Sequence, residues 1–292
     1  MTRWLISVPV WGQHYVDEFC AAALPPLTCA IEALAELPDI EARLIIHTDR
    51  AEQVGAATSV RVECRPVPAG ARGFDCMSQA HREVLRLGLR GDVVVLLTAG
   101  AVISAQGLRY CAKVLEDPRL RLVLCAVPRA LPRGPLPDAA DGESLMRWAW
   151  DNRHPMTEEC IWPHGRSRDL SRTFYLGAVG SVATRQALPH PLAVRIDGRP
   201  LRFTPTVDAN LIHCFDPSEM HMTPDCRELA LIKLSPEDKA FDLVDASMRA
   251  RAARGELVIA DKHQRWCLGH RVHLCGSGEI QDDDHFMVAL RG

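Results

Sequence analysis

The chain opens on a short apolar run, residues 3–9 (RWLISVP), which ends at Pro9 and predicts a buried strand. A moderately amphipathic stretch from Tyr15 to Leu37 predicts helix, broken or restarted at Pro25 and Pro26. Residues 42–48 (ARLIIHT) predict a second strand, ended by Asp49, and the alternating, β-branched residues 60–67 (VRVECRPV) a third. After the turn-like AGARG comes a predicted helix, Asp75 to Leu89; Gly91 and Asp92 then turn the chain into VVVLL at 93–97. That run is apolar at every position, the pattern of a central parallel strand covered on both faces. Helix over 105–115 and strand over 120–128 follow.

Strands alternating with helices in this way predict right-handed crossovers and a mostly parallel sheet, an α/β, Rossmann-like arrangement. Ligands of such sheets bind beyond the carboxyl ends of the strands, so the loops starting at Pro9, Asp49 and Thr98 are expected to line one site. Residues 129–138 (RALPRGPLPD) are proline-rich and predict a stiff connector, neither helix nor inner strand, with a boundary between an N-terminal part, 1–130, and a second part, 131–239. Beyond it the pattern predicts a helix over 141–152, a glycine-containing segment 174–184 suited to close approach of a ligand or backbone, a strand over 228–234 and a helix over 237–254. Short strands are expected within 256–275 and 285–290, so that 240–292 forms a C-terminal helix-and-strand segment.

Composition narrows the function classes. The 292 residues are 47% hydrophobic and 24% charged, an ordinary globular balance. Net charge is −3, so a dedicated nucleic-acid partner is not expected. No apolar run is read as a membrane-spanning segment or a secretory signal. The 11 cysteines are scattered, odd in number and contain no CxxC, which predicts reduced thiols and a cytoplasmic location.

The segments PVWGQHYVDEF (9–19), IIHTD (45–49), MSQAHREVL (77–85) before VVVLLTAGAVIS, and PTVDANLIHC (205–214) follow an order that resembles bacterial glycosyltransferase-like proteins of the GT-A type, over roughly residues 3 to 235. The resemblance implies a Rossmann-like GT-A fold with a nucleotide-sugar-binding half at 1–130 and a mixed, acceptor-side half at 131–239. It implies transfer of a sugar from a nucleotide-activated donor to an acceptor, of hexosyltransferase type. It places the donor against Pro9, Val10, Trp11, Gly12 and Tyr15, with Asp49 near base or ribose.

Metal-dependent members carry an acidic pair after the fourth strand, where it holds a divalent cation against the donor diphosphate. Here that place reads Thr98, Ala99, Gly100, Ala101, and none is a carboxylate. The cofactor is therefore open: the diphosphate is met by cations and backbone N–H groups, a metal is held from elsewhere, or activity is lost. His81 and Arg82, with Arg166, Arg168, Arg172 and Arg185, are candidates for charge compensation. Thr98 and Gly177 join the candidate substrate contacts. Candidate acid–base residues are Asp208, Asp225 and His81, though Asp208 and Asp225 also suit capping or turn positions. His263, Cys267, His270, His273 and Cys275 are potential soft-metal ligands at spacings that match no finger pattern, and no metal residue is assigned.

Overall fold

The computed structural model describes residues 1–69, 73–138, 141–158, 160–162, 172–177, 180–201, 211–236, 262–278 and 280. The strands in chain order are β1 (Thr2–Pro9), β2 (Ile40–His47), β3 (Val62–Arg65), β4 (Val93–Leu96), β5 (Ala101–Ile103), β6 (Leu122–Cys125), β7 (Arg129–Ala130), β8 (Ile161–Trp162), β9 (Arg172–Leu176), β10 (Val182–Gln186), β11 (His190–Arg195), β12 (Met220–Met222), β13 (Leu231–Leu234) and β14 (Val272–Cys275). The helices are α1 (Gln13–Glu18), α2 (Leu24–Ala35), α3 (Ala51–Ala56), α4 (Phe74–Leu87), α5 (Gly107–Val114), α6 (Gly142–Asp151), α7 (Pro155–Glu158) and α8 (Lys262–Gly269).

The fold is α/β, built on a seven-stranded sheet of order β12-β6-β11-β4-β1-β2-β3. Strands β4, β1, β2 and β3 run parallel, as do β12 and β6; β11 runs antiparallel between β4 and β6. Consecutive residues Trp4 to Pro9 are all buried, so both faces of β1 are covered. Strands β11 and β12 come from beyond residue 130, so the main sheet draws on chain from both sides of the proline-rich connector.

Two smaller sheets complete the architecture. One has the order β14-β10-β9-β8; the other, β5-β13-β7, stands on the carboxyl edge of the main sheet. In the latter, Lys233 of β13 pairs with Ala101 of β5 on one side and Arg129 of β7 on the other.

Local departures from the sequence pattern have physical reasons. The predicted helix over 15–37 runs from Gln13 to Ala35 with a π-turn at Phe19–Ala23. Pro25 and Pro26 lack N–H groups and crowd the carbonyls four residues earlier, and a wide turn there accommodates both without ending the helix. This 23-residue helical run is long and apolar enough, by length and composition, to cross a membrane, contrary to the expectation of no such run. In the fold its side chains Val16, Phe19, Leu24, Leu27, Ile31 and Leu34 are buried in the core.

The connector expected over 129–138 begins as edge strand β7. Of the short strands expected within 256–275, β14 is present, while residues 262–269 before it form helix α8. Residues 262–269 bury His263, Cys267 and Leu268, a helical spacing that the charged neighbours obscure. Helix α6 starts where expected, with Asp141 accepting from the N–H groups of Glu143 and Ser144. The helix expected over 237–254 and the strand over 285–290 lie outside the described residues.

Candidate functional site

Pro9 pairs with His47 and Ser7 with Leu96, so β1, β2 and β4 end at one edge. Above that edge lies a cavity of about 310 Å³, within the range of small-ligand sites. The β1 loop and α1 contribute Pro9, Val10, Trp11, Tyr15 and Glu18; α4 contributes Gly73 before its first turn and Met77. The turn after β4 contributes Thr98, Ala99 and Gly100, and the three-stranded sheet contributes Arg129, Lys233 and Leu234.

The β1 loop is held from both sides. Val10 N–H donates to the His47 carbonyl (2.9 Å), and Gly12 N–H donates to Asp49 Oδ1 (3.1 Å). Gly12 has φ +82°, which a side chain would strain. Asp49 thus ties the loop after β2 to the loop after β1; Gly12 and Asp49 are not cavity-lining residues but fix the backbone that carries Trp11.

The remaining sequence candidates fall elsewhere. His81 is fully buried on α4, its Nδ1 2.9 Å from Ser7 Oγ, and anchors that helix to β1 beneath the cavity. Arg82, also on α4, does not line it. Asp225 is held by Arg227 through Nε (3.0 Å) and backbone N–H (2.8 Å), beside β14 and away from the cavity. Gly177 closes the β9–β10 turn, its N–H donating to Ser181 (2.8 Å). Arg185 is buried and donates to the Leu268 carbonyl (2.8 Å). Asp208, Arg166 and Arg168 lie outside the described residues, as does the side chain of Arg172.

Sequence reasoning missed Glu18, Gly73, Met77, Arg129 and Lys233. Arg129 is only 7% exposed, and its backbone carbonyl accepts from His154 N–H (3.0 Å) and Thr157 Oγ1 (3.1 Å). A second cavity of about 60 Å³ shares Thr98, Arg129 and Lys233 with the first and adds Gln186 and His190. His190 Nε2 donates to the Leu96 carbonyl (2.7 Å), so its proton is on that nitrogen.

A divalent cation is poorly served by this wall. Hard cations take several oxygen ligands, charged ones foremost. Among the described residues lining this cavity Glu18 is the one carboxylate, and Arg129 and Lys233 line the same space. No group of three His, Cys, Asp or Glu side chains able to hold a metal occurs among the described residues, the His263–Cys275 region included.

The comparisons with known proteins add likenesses of fold only. No family model and no curated protein sequence matches the chain. Among solved structures it is similar to TarS 1–349 of S. aureus in complex with UDP-GlcNAc (13% identity, TM-score 0.44, covering 92% of this chain and 70% of that one). It is similar also to glucosyl-3-phosphoglycerate synthase from Mycobacterium tuberculosis in complex with Mn²⁺, UDP-glucose and glycerol 3-phosphate (15% identity, TM-score 0.39, covering 98% and 91%). Against the longer S. aureus TarS chain the identity is 12% and the TM-score 0.38, and this chain spans 42% of its length. At such identities and scores these likenesses assign no donor, acceptor or residue role.

Two histidines of the main sheet set an expected pH response of stability. Burial lowers the His47 pKa, with Glu83 opposing at 3.3 Å. Burial likewise lowers that of His221, which meets Tyr110 Oη at 2.9 Å. Both imidazoles are therefore neutral in the fold. The unfolded chain binds more protons once pH falls below the ordinary histidine value, about 6.5, so stability is full above that pH and declines below it. For Glu83, burial opposes ionisation, but bonds from Arg65 and His47 hold the carboxyl below its usual range, so its contribution is lost only in more acid solution. The thermal midpoint is expected to fall between pH 7.5 and pH 5.5, with a shallower slope in His47→Gln; equal midpoints at the two pH values would refute this.

Proposed function

We propose that this chain binds a nucleotide-activated sugar and transfers the sugar to an acceptor, as a glycosyltransferase. One observation carries the reading: a single cavity at the carboxyl edge of a mostly parallel sheet holds Trp11 and Tyr15 on its β1 side and Arg129 and Lys233 on its small-sheet side. A nucleotide sugar has the matching two ends, a flat base that stacks on aromatic rings and a diphosphate that pairs with cations. The order of segments that resembles GT-A proteins points the same way.

In the transfer, the bond between the anomeric carbon and the diphosphate oxygen breaks, and its electron pair leaves on the nucleoside diphosphate. The acceptor oxygen forms the new bond, and its proton passes to a base. Stabilising the departing negative charge is the main task left to the protein, and fixed cations perform it. Asp208 is the proposed base; Asp225 and His81 do not line the cavity. A cytoplasmic setting fits the eleven free thiols, of which Cys111, Cys125 and Cys226 have their pKa raised by burial and so act as packing groups.

The absence of an acidic residue at 98–101 favours a second reading, a binding homologue without turnover. Calorimetric titration with UDP-, GDP- and CMP-sugars, followed by assay of nucleoside diphosphate release, separates the two. Binding with release supports the transferase, binding without release supports the silent homologue, and no binding in the panel rejects both.

A further inference from the structure

Within the turn where the GT-A resemblance expects an acidic, metal-holding pair, position 100 is closed to any side chain. A Cβ on Gly100 would lie 2.5 Å from the Leu234 carbonyl oxygen, because β13 runs against the turn and Leu234 N–H donates to Gly100 (2.8 Å). The strand that closes the position also delivers Lys233 to the cavity. Cross-strand pairing puts Lys233 beside Arg129, and Lys233 N–H donates to the Pro128 carbonyl (3.0 Å), so both cations stand on hydrogen-bonded backbone.

We infer that the Arg129–Lys233 pair takes the place of a divalent metal and binds the diphosphate of the ligand directly. This rests on the reading of the cavity as a nucleotide-sugar site and specifies how that site meets its anion. The guanidinium offers a planar fork of donors to phosphate oxygens, and the ammonium a compact point charge. Thr98 lines the same two cavities as the pair and supplies a hydroxyl donor. Because the pair lines both spaces, the diphosphate sits at their junction.

The test is titration of the wild-type protein with UDP, GDP, CDP and inorganic pyrophosphate in excess EDTA and again in Mn²⁺. At least one nucleoside diphosphate is expected to bind in EDTA, with a Kd that Mn²⁺ changes by less than about twofold, since among the described residues no group of three His, Cys, Asp or Glu side chains awaits the ion. Lys233→Met keeps the apolar stem and is expected to weaken that diphosphate and pyrophosphate by about tenfold or more, while Lys233→Arg retains most of the affinity and the parent nucleoside binds as before. Binding that requires Mn²⁺ and ignores Lys233→Met overturns the inference and leaves the nucleotide reading standing. Failure of every nucleotide to bind, with or without Mn²⁺, overturns the nucleotide reading and the inference together. The metal arm uses unaltered protein, so the inference stays falsifiable even if a Lys233 variant fails to fold.

Discussion

Gly100→Ala is expected to destabilise the protein by about 1–3 kcal/mol, toward the upper end of that range, for the addition of one methyl group. The new Cβ would sit 2.5 Å from the Leu234 carbonyl oxygen, and that contact is to backbone, which cannot turn aside as a side-chain tip can. Either β13 moves off the turn and forfeits its hydrogen bonds to Gly100 and to β5, or the turn itself shifts beneath the cavity. For a chain of this size a loss near 3 kcal/mol lowers the thermal midpoint by roughly 5 °C. Gly55→Ala is the matched control: it lies in α3 with nothing within 4 Å of its added Cβ, and the change is expected to be neutral or slightly stabilising. Gly100→Asp, which puts an acidic residue within the 98–101 turn, is expected to fare no better than the alanine and to gain no Mn²⁺ affinity. Equal midpoints for Gly100→Ala and wild type would mean that β13 does not pack as described, and the route by which Lys233 reaches the cavity would fall with it.

The same contact explains what could and could not be read from sequence. Strands β1 and β4 were legible as largely apolar runs that need two covered faces, and β2 through its apolar Leu44–Ile46 core, while VVVLL could be little else. Their ends located the loops at Pro9 and Thr98, and from these Trp11, Tyr15 and Thr98 followed as a cluster. The cationic side of the cavity was hidden for a different reason. Strands β5, β7 and β13 are three, two and four residues long, too short for a period to declare itself, and they pair across more than a hundred residues of chain. Arg129 sits at the head of a proline-rich connector and reads as a surface charge. Lys233 is the one charge within LALIKL at 229–234, and an isolated charge in an apolar run is a local hint that it has a purpose. Gly100 gave a further hint, since a glycine between alanines after a buried strand marks close backbone approach, but nothing nearby names β13 as the backbone. Asp49 was legible as a residue at the site's edge; its bond to the Gly12 N–H, and so its part in shaping the β1 loop, depends on the register between β1 and β2.

Trp11→Ala is expected to weaken the preferred nucleoside diphosphate by roughly 5- to 150-fold, the 1–3 kcal/mol that a base–aromatic stack contributes. Trp11 is half-exposed on the cavity wall, whereas Trp4, seven residues earlier, is core. The substitution should therefore leave the thermal midpoint close to that of wild type. The backbone that carries the indole is fastened on either side by Val10 N–H to His47 and Gly12 N–H to Asp49, which lowers the ordering cost of the loop on binding. The decisive feature is the division between ligand parts. Trp11→Ala should weaken nucleoside and nucleoside diphosphate alike and leave inorganic pyrophosphate unchanged; Lys233→Met should weaken pyrophosphate and nucleoside diphosphate and leave the nucleoside unchanged. Trp11→Phe, which keeps a ring, should recover most of the loss. A cavity that takes the ligand in the opposite sense, base toward β13 and phosphates toward β1, would reverse both patterns. A Trp11→Ala protein that binds every ligand as wild type does would show that the base lies elsewhere, and the aromatic half of the site would have to be sought again.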